Sequence, residues 1–117
     1  MNTTLRLDDW HVRTVLLVLK ISQADAARAF SRTGKKQGFS RFGTGAMVRA
    51  RVMNGLRHLA PAGTKLSYPR IAELCGMRTH VAVLEACRRP NVLSENEKKL
   101  LAVSGEHAVA VVRLVGT

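Results

Sequence analysis

Residues 78–82, Arg-Thr-His-Val-Ala, place a cation, a hydroxyl, an imidazole and two small apolar side chains in consecutive positions. That set suits the edges of base pairs. Thr79 and His80 can hydrogen-bond base edges, Arg78 stands with them against those edges, and Val81 and Ala82 can touch a thymine methyl. Each has a plainer reading beside it. Thr79 can simply cap a helix, His80 can be an ordinary surface residue, and Val81 can belong to the core.

A second set of residues is basic. Arg32, Lys35, Lys36 and Arg41 lie in residues 31–45 among four glycines, a stretch with no apolar period. A basic loop of this kind can neutralise phosphates or send an arginine into a minor groove, or can be no more than solvated chain. Arg49, Arg51 and Arg57 follow on a helical pattern. They become phosphate contacts if they share a face with residues 78–82, and solvated charges otherwise. Nineteen Lys and Arg against eight acidic residues give a net charge of +11 in 117 residues. Self-repulsion of that size calls for a polyanionic partner, nucleic acid before an anionic membrane.

Catalytic chemistry finds less support. His11, His58, His80 and His107 have no metal-ligand spacing, and there is no HExxH or Cys/His cluster. Cys87 has no recognisable base partner. Residues 33–36, Thr-Gly-Lys-Lys, do not make a phosphate-binding loop, because Ala29 stands where glycine is needed and Lys36 where a magnesium-binding hydroxyl is needed. No enzyme activity, metal or cofactor is expected. Cys75 and Cys87 stand apart with no disulfide framework, which fits a reducing cytoplasm, and association with the nucleoid follows from the charge. Asp8 and Asp9 and the lack of a small-residue cleavage site argue against a signal peptide. The run Val15–Leu19 is too short to cross a bilayer.

The elements that must position these groups are helices. One tryptophan, one tyrosine and three phenylalanines leave a core of Leu, Val, Ile, Ala and Met, and the length suits one domain. The expected fold is all-α, a compact multi-helix domain with a helix-turn-helix and a basic loop over residues 1–117. Asp8 and Asp9 cap a first helix to about Lys20 with Val12, Val15, Leu16 and Leu19 inward. Ser22 with Asp25 caps a second over residues 23–30, with Ala24, Ala27 and Phe30 inward. A third runs from about Ala46 to Leu59 with Met47, Ala50, Met53 and Leu56 buried, before Pro61 and Gly63.

Ser67 and Pro69 start a fourth helix whose inner face is Ile71, Ala72, Leu74 and Cys75, and Gly76 stops it. Thr79 caps the fifth, with Val83, Leu84 and Cys87 inward and Pro90 forbidding its continuation. Ser94 with Glu97 forms a capping box for a last helix containing Leu100, Leu101 and Val103. Residues 107–115 fit a helix or a strand, with helix preferred.

The stretch SYPRIAELCGMRTHVAVLEACRR, residues 67–89, resembles the C-terminal DNA-binding domain of the bacterial replication initiator DnaA, in the TrpR-like helix-turn-helix superfamily. Pro69, Ile71, Gly76, Arg78, His80, Val83, Leu84, Ala86, Cys87 and Arg88 match its signature. RARVMNGLRHL, residues 49–59, is similar to the helix before it, and the likeness covers about residues 7–90. Residues 91–117 form a C-terminal extension.

The resemblance implies a braced helix pair. The first helix, starting at Tyr68 and Pro69, crosses the backbone, and the second reads the major groove of duplex DNA. Thr79 replaces the family's aspartate, Val81 and Ala82 its two threonines, and Glu85 its following histidine. Losing an acceptor for cytosine and two hydroxyls shifts the preferred sequence away from the usual initiator box. Arg41 is the nearest match to the family's minor-groove arginine. The family's ATPase has no counterpart in these residues.

The leading expectation is a site-specific duplex-binding protein in control of replication initiation or transcription. A non-specific nucleoid or nucleic-acid binder and a protein-interaction module are the alternatives. Residues 108–115 can serve a homodimer or a protein partner, or dock on their own core. Few aromatics argue against stacking on single strands.

Overall fold

Asp9 opens the first helix, α1 (Trp10–Leu19), by accepting from the backbone N–H of His11 at 2.8 Å and of Val12 at 3.4 Å. Lys20 closes it in the left-handed region at φ 59°. Val12, Val15, Leu16 and Leu19 are buried, at the spacing the sequence predicts. These elements come from a computed structural model that describes residues 3–30, 44–59 and 66–103. The basic-loop residues Arg32, Lys35, Lys36 and Arg41, the stop at Pro61 and Gly63, and residues 107–115 lie outside the described residues.

Ser22 caps α2 (Gln23–Ala29) by accepting from the Asp25 N–H at 3.1 Å, and Phe30 is its last cap. The buried face is Ala26, Ala27, Ala29 and Phe30. Ala24 is exposed, contrary to the sequence pattern. Residues 26, 27, 29 and 30 share one face of the helix, turned away from the 24–27–30 line, and this leaves Ala24 outside it.

The central element is α3 (Thr44–Leu59), which packs against α1, α2, α4 and α5. Val48, Ala50, Val52, Met53, Leu56 and Leu59 are buried. Met47 is 51% exposed rather than buried. With neighbours on several sides, α3 buries a broad band that includes Val52 and Asn54; Met47 lies on the face of Asn54 but two turns earlier, in the first turn of the helix. Gly55 allows a close approach to α1, since a Cβ there would come 2.6 Å from Val15 Cγ1.

Ser67 starts α4 (Tyr68–Cys75) by accepting from the Arg70 N–H at 3.2 Å, with Pro69 in the first turn. Ile71, Ala72, Leu74 and Cys75 are buried as expected, and Gly76 ends the helix at φ 69°. A connection over residues 76–80 leads into α5 (Val81–Arg88), which buries Val83 and Ala86 and half-buries Leu84 and Cys87. The last helix among the described residues, α6, covers residues 95–103. Its capping box is formed in both directions: Ser94 N–H donates to Glu97 Oε1 at 2.9 Å, and Glu97 N–H donates to Ser94 Oγ at 3.1 Å. Leu101 enters the core, whereas Leu100 and Val103 face outward. The described residues form an all-helical fold with no strand, and no helix among them is long and apolar enough to cross a membrane.

The N-terminal segment lies over the end of α4. Thr4 N–H donates to Phe30 O at 3.0 Å, and Arg6 N–H donates to Leu74 O at 2.9 Å. The Thr4 hydroxyl is 2.8 Å from both Phe30 O and Cys75 O. This strap ties α2 to α4 and satisfies carbonyls that the end of a helix leaves open.

Candidate nucleic-acid interface

The first turn of α5 is presented outward. Arg78, Thr79, His80 and Val81 are exposed, and Ala82 is half-buried. Thr79 is not the cap that the sequence suggests. His80 occupies that position with φ −86° and ψ 3°, outside the extended conformation of a side-chain cap, and no side-chain hydrogen bond closes the helix start. His80 O instead accepts the first helical bond from Leu84 N–H at 2.9 Å. The leading N–H groups of α5 therefore lack a side-chain acceptor, which leaves a partial positive charge beside Arg78.

Behind this surface α5 is held from α3. Pro90 has no N–H to give the carbonyl of Ala86 four residues back, so that acceptor lacks its usual helical partner. Asn54, buried in the middle of α3, supplies one: its Nδ2 donates to Ala86 O at 2.6 Å and to Ala50 O at 3.1 Å. Sequence reasoning passed over Asn54, although an asparagine inside an apolar helical stripe is a signal for such a bond. Between the two helices lies a shallow depression of about 150 Å³, lined by Ala46, Met53, Met77 and Ala82 with Arg49 and Glu85.

The three arginines of α3 are engaged within the fold. Arg49 Nη1 donates to Ala29 O at 2.9 Å, fastening the end of α2. Arg51 forms a fork with Glu97, at 2.5 and 3.3 Å, and also donates to Val92 O at 3.1 Å. Hydrogen bonding from Arg51 holds the Glu97 carboxyl below its ordinary pKa. Arg57 donates to Leu66 O at 2.5 Å and stacks its guanidinium 4.4 Å from the centre of the half-buried Tyr68 ring. These contacts orient α4 and α6. The exposed cations near α5 are Arg78 before it and Arg88 and Arg89 at its end. The last two were not among the candidates, though a basic pair before Pro90 was visible in the sequence. Pro69 is exposed, and Arg70 makes an exposed pair with Glu73 at 3.4 Å.

Cys75 is fully buried, and burial pushes its thiol up to about 12. Burial also raises Cys87, opposed by the charge of Arg57. Neither is a ready thiolate. No group of three or more His, Cys, Asp and Glu among the described residues is arranged to hold a metal. Comparisons with protein-family models, with curated proteins and with solved structures gave no match for the chain.

Proposed function

We propose that the protein binds duplex DNA at preferred sequences and acts in the control of replication initiation or of transcription. The observation that carries this reading is the exposed run Arg78, Thr79, His80 and Val81 at the start of a helix anchored from behind by Asn54. Groups that can discriminate base edges stand free, and the helix presenting them is fixed, as major-groove reading requires. The net charge of +11 supplies the attraction to phosphates. The likeness of residues 67–89 to the initiator's DNA-binding domain points the same way.

In this mechanism α5 enters the major groove N-terminus first. Arg78 and the open N–H groups of α5 meet phosphates or a guanine edge, and Thr79 and His80 hydrogen-bond bases. Arg88 and Arg89 flank the groove, while Lys35, Lys36 and Arg41 add phosphate contacts. Arg49, Arg51, Arg57 and Tyr68 act chiefly by keeping the reading helices in place, with Pro69 shaping the first turn of α4.

The test is selection of bound duplexes from a random pool, then titration of the winner and a scrambled control at two salt concentrations. The proposal expects a consensus bound at least about tenfold more tightly than the control, and His80→Ala losing affinity for the winner alone. An affinity that collapses in salt with no sequence preference would identify a non-specific polyanion binder instead.

A further inference from the structure

Val81 is the unusual member of the exposed run. It is 53% exposed, a β-branched apolar side chain among Arg78, Thr79 and His80 at the first position of α5. Its neighbours extend the apolar character. Met77 and Ala82 are half-buried and line the depression beside α3 together with Ala46. Ala82 is turned towards that depression, whereas Val81 stands clear of it. The apolar reach of this surface towards a ligand therefore belongs to Val81.

In the major groove the base-pair edges present hydrogen-bonding groups and one apolar group, the methyl at C5 of thymine. Cytosine acquires the same group at the same position when methylated at C5. Thr79 and His80 bring hydrogen-bonding groups to the base edges, so an apolar contact with that methyl falls to Val81. We propose that Val81 makes the protein a reader of a 5-methylpyrimidine, thymine or 5-methylcytosine, at one position of its site. The inference rests on the duplex-binding reading above.

The test uses the selected duplex with each thymine replaced in turn by deoxyuridine, which removes only the methyl. In a second series, cytosine and 5-methylcytosine stand at the sensitive position. Wild type should lose about fourfold in affinity on losing the thymine methyl, the worth of one buried methyl group. It should regain a similar factor when cytosine there is methylated. Val81→Ala, which exchanges an exposed valine for a shorter side chain and a better helix former, should bind all four duplexes with a clearly smaller response to the methyl. A consensus that tolerates deoxyuridine everywhere, or a methyl effect unchanged in Val81→Ala, would overturn the assignment while leaving duplex binding intact. Absence of any preferred duplex would overturn both.

Discussion

Gly76 is where the N-terminal strap meets the end of α4, and replacing it with alanine gives the sharpest test of the packing. Two costs are built into the site. The backbone sits at φ 69°, where an L side chain loses about 1–2 kcal/mol. A Cβ would also fall 2.4 Å from Thr4 Cβ and 2.6 Å from Thr4 O, so the strap must lift. Lifting endangers Thr4 N–H to Phe30 O, the Thr4 hydroxyl bonds and Arg6 N–H to Leu74 O. Each is worth about 0.5–1.5 kcal/mol net, and some will be regained by relaxation.

Gly76→Ala should therefore destabilise the protein by about 3 kcal/mol. Urea unfolding followed by far-ultraviolet circular dichroism measures this directly. Thr4→Gly removes the nearer clashing atom, so in that background Gly76→Ala should cost about 1 kcal/mol less. Hydrogen exchange at the Arg6 amide should accelerate in Gly76→Ala. A cost below about 0.5 kcal/mol, or one independent of Thr4, would refute a strap seated on Gly76.

Asn54→Leu should cost about 2 kcal/mol in the same unfolding assay, because the leucine fills the volume but leaves Ala86 O with only the Arg89 N–H at 3.3 Å. Wild-type stability in that variant would contradict the tether. Glu97 has a lowered folded-state pKa, so its stabilisation is present above the ordinary value of 4.5 and is lost as pH falls through the lower folded value. The stability gap between wild type and Glu97→Gln should thus be largest near neutrality and shrink in acid; a gap that grows in acid would reverse the assigned sign. With a chromogenic disulfide reagent, Cys87 should react in the native protein, and Cys75 only on unfolding, given burial of its thiol and a pKa of about 12. Equal native rates would contradict the burial of Cys75.

The parts of the fold that were legible in the sequence are those specified by local chemistry. Ser67, Pro69 and Gly76 bound α4, and Ser94 with Glu97 opens α6, because each signal acts within a few residues of the structure it makes. Spacing alone misassigned Ala24 and Met47, since the buried edge of α2 and α3 depends on which helices pack there. The arginines of α3 were harder still. Arg49 bonds to Ala29, 20 residues away, and Arg51 to Glu97, 46 residues away, and no local pattern distinguishes such a brace from a solvated charge. The exposed run at residues 78–81 was legible as chemistry, but its cap was not. Thr79 is a good cap by type, yet the chain enters α5 one residue later, through His80.

The central claim is that residues 78–82 are the surface that meets preferred DNA. Amide chemical-shift mapping of the full chain, titrated with the selected duplex and separately with a scrambled one, addresses it most directly. The account predicts that the largest shifts fall on Arg78, Thr79, His80, Val81 and Ala82, and that they are clearly larger with the selected duplex. Shifts of equal size with both duplexes, or an undisturbed α5 while other residues respond, would contradict it.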